Sequence, residues 1–441
     1  MTTNTHLLRQ RRFLPLFVTQ LLGAFNDNLY KNAMLLFVVY SVYNSEAQEA
    51  RFSAIASGLF ILPFLLLSAL AGQLADMRDK ARLIRIIKLC EVAIMLVGAG
   101  GLLLAWHRIS VEDVAIPLML AALLAMGVHS SFFGPIKYAI LPQHLKGEEV
   151  LAGTGLVEAG TYLAILAGTV LAGFIPVQWA ALAVVVTALV GLVSAQSVPP
   201  APPMMAAQKI DYNIVRSSIQ LVRMTMKHPR VFLAIAAISV FWSVGAVLFI
   251  QFPPLAKNVL GASKSVASLF LVMFSIGVAI GSASINQLLH GKVSARYAPL
   301  SVMVMAGFIV AFDWVCRMWP PHGRDNLLDV WTFVHQPLAL PLLGTLLGIA
   351  VAGGMFVVPL YAFLTTVVDK AETSRTIAAN NIVNSFAMVI GSLVAVSLSA
   401  AGVPIVEQLL LGAGMCVVSA LMAWQLYRAE QAHAGEIEHT F

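Results

Sequence analysis

At 441 residues the chain is long enough for two or three soluble domains of about 100–200 residues each, but its composition excludes that organisation. Hydrophobic residues make up 59% and charged residues 11%, against about 45–50% and about 25% in soluble domains, and the mean hydropathy is +0.85. So few charges cannot cover a water-exposed surface of this size, and the chain reads as a polytopic membrane protein. The net charge of +6 and pI of 9.3 would raise nucleic acid as a partner of a soluble protein. In a membrane protein they follow from the bias of cations toward the cytoplasm, and no nucleic-acid partner is expected.

The start of the chain, MTTNTHLLRQRR, runs into an apolar stretch without a small-residue cleavage site, so the first apolar run is expected to stay as an anchor. A hydrocarbon core of about 30 Å needs about 20 apolar residues of helix. Twelve stretches qualify: 13–42, 53–75, 83–105, 114–141, 151–175, 178–196, 230–252, 266–289, 297–316, 338–364, 376–401 and 404–427. They are continuously apolar and do not alternate, which excludes barrel strands. One long interruption, 197–229, opens with SVPPAPP and continues as a basic amphipathic stretch, with a surface helix expected over Ile210–Met226. The expected organisation is therefore a six-helix bundle over 1–196, a linker over 197–229 and a second six-helix bundle over 230–441. An even count of spans puts both termini on one side. Arg9, Arg11, Arg12, Arg78, Arg82, Lys146, Arg216, Arg223, Lys227, Lys292 and Lys370 fall on that side, with far fewer cations opposite. That side is the cytoplasmic one.

Ionisable groups inside a span are costly and call for a partner or a water-filled path. In the first span, GAFNDNLYKN (23–32) sets Asn26, Asp27 and Asn28 together about 20 Å from the helix start. Lys31 lies four residues on, within pairing reach of Asp27. Lys88 and Glu91, three apart in the third span, read as a pair in which the lysine also reaches to the surface. Lys137 and Glu158 lie almost equally far on either side of the hairpin around Gly147 and Glu148, so opposite charges are expected to meet at one depth. That pair is either structural or the seat of a phosphate held by Lys137. Asp313 and Arg317 read as a pair at the outer end of the ninth span, and Gly277 and Gly281 as a helix-packing pair. The sequence has no Walker loop, nucleophile elbow or acyltransferase motif, and its histidines and three cysteines lack metal-ligand spacing. Neither an enzyme nor a cofactor is expected.

The two halves are internally related. AGTGLVEA (152–159) aligns with AANNIVNS (378–385), and GPIKYAIL (134–141) resembles VPLYAFL (358–364) with one residue missing. The positions of Lys137 and Glu158 then correspond to Tyr361 and Asn384, beside Asn380 and Asn381. Parallel six-helix repeats joined by a long cytoplasmic linker resemble the major facilitator superfamily. The stretch GQLADMRDKAR (72–82) carries that superfamily's loop pattern, with Met77 in place of a basic residue and Asp79 in place of glycine. Gly72, Asp76, Arg78 and Arg82 are therefore expected to form a conformational latch. Asp76 would face a helix N-terminus, and Arg78, Lys80 and Arg82 would meet the anionic leaflet.

At GAFNDN, GPIKYAIL, AGTGLVEAG, FWSVGAVLFIQFPPLAKNVLG (241–261) and GGMFVVPLYAFL (353–364) the sequence resembles the bacterial lysophospholipid transporter family, and most closely its acyltransferase-fused members. The resemblance implies a monomeric flippase that carries lysophospholipids such as lysophosphatidylethanolamine from the outer to the inner leaflet of the inner membrane, where an acyltransferase, here a separate partner, re-acylates them. It places Asp27, Lys137 and Glu158 at the family's polar positions, and Asn380 and Asn384 at its asparagines of the eleventh span. Phe249 stands where free-standing members carry arginine. The alternatives are a proton-coupled carrier of another amphipathic solute or drug, using Asp27 or Glu158, and a non-transporting membrane partner of an acyltransferase.

Overall fold

The computed structural model describes residues 6–42, 46–204, 206, 209–320 and 327–438. In chain order the long helices are α1 (Leu14–Ser41), α2 (Glu46–Met77), α3 (Lys80–Trp106), α4 (Ile116–Ala139), α5 (Leu141–His144, a single turn), α6 (Gly147–Phe174), α7 (Val177–Gln196), α8 (Ile214–Thr225), α9 (Pro229–Asn258), α10 (Lys264–Leu288), α11 (Ala298–Met318), α12 (Val330–Val334, short), α13 (Ala339–Thr366), α14 (Thr373–Ala400) and α15 (Ile405–Glu438). Eleven of these are long and apolar enough to cross a membrane. The twelfth span is α1, whose 28 residues suffice for about 42 Å of helix. The polar turn around Asp27 lowers its hydropathy.

Local chemistry sets the helix ends. Pro15 opens α1, where its missing N–H is no loss. Asp79 caps α3 by accepting the Arg82 N–H at 2.8 Å. Glu149, in the first turn of α6, accepts the Lys146 N–H at 2.8 Å and pairs with Arg12 at 2.7 Å. The linker helix α8 starts later than the amphipathic pattern suggests. Asn213 accepts the Arg216 N–H at 3.0 Å and so fixes the N-terminus at Ile214.

The chain divides into two compact units. The first comprises Met1–Met224 and Thr365–Ile382, the second Thr225–Leu364 and Val383–Phe441. Within the first, α1 packs on α6 and α7, α2 on α4, and α3 on α4 and α7. In the second, α9 and α11 both pack on α15. The first and third spans of each half therefore share the sixth as a neighbour, which is the packing counterpart of the sequence repeat. Pro135 inside α4 and Pro359 inside α13 recur at the same place in each half. A Cβ on Gly277 would stand 2.5 Å from the Ala350 Cβ, and one on Gly281 would collide with the Val351 carbonyl. This pair lets α10 and α13 touch backbone to backbone. Trp106, Trp179 and Trp314 are exposed near the ends of α3, α7 and α11 that the topology places opposite the N-terminus, and Trp331 is exposed in the short α12 that follows α11. That is where amphipathic rings mark a membrane interface.

Candidate functional site

Asp27 sits midway along α1, half-buried. The expected pair with Lys31 does not form. Asp27 Oδ2 accepts the Ser130 hydroxyl of α4 at 2.6 Å, and Lys31 Nζ rests 5.5 Å from the centre of the Phe60 ring on α2. The neighbouring asparagines also separate, because successive residues diverge by about 100° around a helix. Asn26 turns inward and donates to Glu91 Oε1 at 2.9 Å. Asn28 turns back on its own helix, donating to the Ala24 carbonyl at 2.9 Å.

The Lys88–Glu91 pair forms at 2.5 Å, but not at a surface, for the two side chains are 0% and 1% exposed. Gly23 on α1 and Gly191 on α7 make room for the Lys88 ammonium, so the lysine is enclosed by three helices and does not reach water. Glu91 also faces His129 of α4, whose Nε2 stands 3.3 Å from Oε2. His129 Nδ1 in turn lies 3.4 Å from the Ser130 hydroxyl that holds Asp27. Sequence reading found the Lys88–Glu91 pair but placed it near the surface, and it missed His129 and Ser130. The signal was present as a lysine, a glutamate and a histidine inside spans, but their helices are neighbours only after folding.

At the next level, Lys137 and Glu158 do not pair either. Glu158, 2% exposed, accepts the Tyr138 hydroxyl in a very short hydrogen bond. Lys137 Nζ lies 4.8 Å from the centre of the Tyr138 ring, with no carboxylate bound. The Tyr138 hydroxyl thus occupies the carboxylate while its ring lies beside the Lys137 ammonium. Asp27 and Ser130 fix the relative register of the antiparallel α1 and α4. Lys31 is then about 6 Å toward the C-terminal end of α1, and Lys137 about 10 Å in the opposite direction, toward the C-terminal end of α4. Two lysines that form no ion pair among the described residues thus flank the Asp27 level.

In the second unit, Asn384 accepts the Ser239 hydroxyl at 2.7 Å and donates to the Tyr361 hydroxyl at 3.2 Å. Trp242 Nε1 donates to the same hydroxyl at 3.0 Å. The residues that correspond to Lys137 and Glu158 are therefore bonded directly to each other. Asn380, within the first unit, is fully buried, and neither its amide nitrogen nor its oxygen has a hydrogen-bond partner among the described residues. Phe249 packs edge-on against Phe252 and Phe274 at centroid distances of 5.9 and 4.9 Å, an aromatic cluster where a guanidinium would have no counter-charge.

The loop after α2 is bonded through its first half. Asp76, 0% exposed, accepts the backbone N–H of Ser374 at 3.1 Å, that of Arg375 at 3.2 Å, and the Arg375 guanidinium at 3.0 Å. The carboxylate thus caps the first turn of α14, where the helix dipole favours it. A Cβ at Gly72 would lie 2.7 Å from the Ala378 Cβ and 3.1 Å from the Arg375 Cα, so only glycine allows this approach. Arg78 and Arg82 are exposed, but Lys80 is not. It is fully buried, contrary to the expectation that it meets the leaflet, because the linker folds over it. Lys80 N donates to the Ala201 carbonyl at 2.9 Å, Ala201 N donates to Asp79 Oδ2 at 3.1 Å, and Arg85 donates to the Val198 carbonyl at 3.0 Å. Asp79, in place of the usual glycine, fastens the proline-rich segment. At the C-terminal end of α11, Asp313 and Arg317 pair at 2.9 Å as expected.

Comparison with known proteins places this geometry. The family described as Major Facilitator Superfamily matches residues 16–392. The lysophospholipid transporter LplT of Salmonella newport and that of Salmonella typhimurium are each 25% identical over 395 residues, 88% of this chain and 88% of the relative. Among solved structures, the human organic anion transporter MFSD10 superposes with a TM-score of 0.73 at 14% identity, covering 94% of this chain and 99% of that one. The proton:xylose symporter XylE gives 0.68 at 14%, covering 96% of each.

Proposed function

This chain belongs to the major facilitator superfamily, and we propose that the solute it carries is a lysophospholipid, moved from the outer to the inner leaflet of a bacterial inner membrane. It is a multi-pass membrane transporter and not an enzyme. The similarity to lysophospholipid transporters over most of both chains supports the substrate class. The observation that carries the reading is Lys137, an ammonium inside a span with no carboxylate bound to it because Tyr138 has taken Glu158. An ammonium at that depth without a directly bonded carboxylate is costly, and the phosphate of a single-chain lipid would bond it directly.

In this reading Lys137 receives the phosphate, Asp27 or Glu158 faces the ammonium of an ethanolamine head group, and Lys31 meets the phosphate first from the outer side. Tyr361, Asn380 and Asn384 supply neutral hydrogen bonds to the head group as it passes, while the acyl chain stays against aliphatic side chains. The Asp76 contacts with the start of α14 serve as a latch that opens and re-forms in each cycle, and Arg78 and Arg82 lie against the cytoplasmic leaflet. The protein acts as a monomer with both termini and the linker in the cytoplasm, and delivers its product to a separate acyltransferase. Uptake of labelled lysophosphatidylethanolamine into spheroplasts, with and without the protein, tests the assignment. Uptake that does not depend on the protein refutes it, and competition by an unrelated amphipathic solute at equal concentration favours a broader carrier.

A further inference from the structure

The linker helix α8 turns a face outward that the transport reading leaves unused, and both ends of the helix are tied to membrane spans. At its start, Asp211 N donates to Gln73 Oε1 at 3.2 Å. Gln73 lies four residues before Met77, where the span of α2 ends, so this anchor sits about 6 Å inside the end of the span. At the other end, three residues separate Thr225 from Pro229, where the span of α9 begins. A helix of 12 residues, about 18 Å long, is thereby held at the depth of the lipid head groups and not out in the aqueous phase.

The inward face of α8 is set by Ser217, 4% exposed, with Ile214, Leu221 and Val222 half-buried beside it. A helix standing in water would carry polar groups on its other side. This one carries both kinds. Val215 and Ile219, one turn apart, are 62% and 65% exposed, and Tyr212, just ahead of the first turn, is 75% exposed. Arg216 and Arg223, two turns apart and both exposed, run along the edge of that apolar strip. Val215, Ile219, Arg216 and Arg223 line, with Asn213 and Gln220, a surface hollow of about 620 Å³. Between Lys209 and Arg230 the chain has five cations, Lys209, Arg216, Arg223, Lys227 and Arg230, against one acid, Asp211. None of the five is in an ion pair among the described residues. Surplus cations beside exposed apolar side chains, at head-group depth, make a helix that binds an acidic lipid surface. A soluble acidic partner matches the charge alone; the depth of Val215 and Ile219 favours lipid.

We propose that this face of α8 is a binding site for an anionic two-chain phospholipid of the leaflet beside the linker, separate from the path of the carried lipid. Arg216 and Arg223 hold the head-group phosphate, to which a guanidinium can donate two parallel hydrogen bonds. Val215 and Ile219 rest against the first methylenes of the acyl chains, and Asn213 and Gln220 offer neutral hydrogen bonds to the rest of the head group. A zwitterionic lipid satisfies the same phosphate contacts but leaves the cation surplus of the linker uncompensated, so the site prefers a net negative head group. The proposal needs the membrane fold and not the lysophospholipid reading.

Native mass spectrometry of the purified protein in detergent, titrated with phosphatidylglycerol or with phosphatidylcholine of the same chains, tests it. The wild type is expected to retain phosphatidylglycerol at lower concentration than phosphatidylcholine. Arg216→Gln and Arg223→Gln should each weaken that binding by about fivefold, whereas Lys137→Gln should leave it unchanged. Equal retention of the two lipids by the wild type, or phosphatidylglycerol binding undiminished when both arginines are replaced, overturns the site. Loss of that binding in Lys137→Gln moves the lipid to the transport path and overturns it as well. A second measurement uses the unaltered protein: hydrogen exchange in nanodiscs of phosphatidylcholine alone and with added phosphatidylglycerol. Slower exchange over residues 209–228 in the acidic discs is expected, and exchange there that ignores the lipid overturns the contact with the leaflet.

Discussion

Replacing Lys88 by Met tests whether the interior of the first unit is as dry as its geometry implies. The ammonium and the Glu91 carboxylate are 2.5 Å apart with exposures of 0% and 1%, so no solvent discount applies. The variant leaves Glu91 charged and buried, with the Asn26 amide at 2.9 Å and His129 at 3.3 Å as remaining neighbours. Orphaning one member of such a pair costs about 3–5 kcal/mol, whereas replacing both by apolar groups of similar size is neutral or stabilising. For a unit of roughly 240 residues, about 2–4 °C per kcal/mol converts this to a fall in Tm of about 6–20 °C. Lys88→Met combined with Glu91→Leu is expected to recover the wild-type value or exceed it. Thermal unfolding in detergent, followed by tryptophan fluorescence on the four members of the cycle, reads the coupling directly. A Lys88→Met protein that melts with the wild type, or a double variant no better than the single one, would falsify the buried-pair reasoning.

Asp27→Asn keeps the shape and the bond from Ser130 while removing the charge, so the protein is expected to reach the membrane but to transport poorly. Wild-type uptake at equal expression ends that claim. Lys137→Gln removes one charge-assisted contact, worth about 1.5–3 kcal/mol, and should weaken binding of every phosphate-bearing lysolipid to a similar degree, by about tenfold or more. Normal lysophosphatidylethanolamine transport by Lys137→Ala demotes the residue to packing. Asp76→Asn cancels the charge held at the start of α14 and is expected to lower Tm and change the transport rate together; if neither moves, Asp76 is not a latch. A cysteine introduced at Ala206 should resist membrane-impermeant reagents added to intact cells, and labelling there reverses the topology.

Much of the architecture was legible in the sequence because it follows from one-dimensional quantities. Span length, continuous apolarity and the 152–159 and 378–385 repeat prescribe twelve helices in two related halves, since backbone groups in lipid are satisfied only within helices or closed barrels. The Asp76 cap and the Asp313–Arg317 pair were also readable, one from a loop pattern and the other from an i, i+4 spacing that a helix fixes by itself. What failed were inferences about which charges bond to each other, within a helix and across helices. Helical spacing brings Lys31 near Asp27, yet Ser130 from α4 offers the carboxylate a closer and cheaper partner. Hairpin symmetry sets Lys137 opposite Glu158, yet Tyr138 on the same turn intervenes. Lys88 and Glu91 look peripheral in sequence, and only the packing of α1, α4 and α7 around α3 encloses them and adds Asn26 and His129. Sequence determined how many ionisable groups enter the membrane and at what depth. Tertiary structure decided their partners, because in a low-dielectric interior a partner is set by side-chain reach and direction in three dimensions, and residues 65 positions apart compete on equal terms with neighbours one turn away.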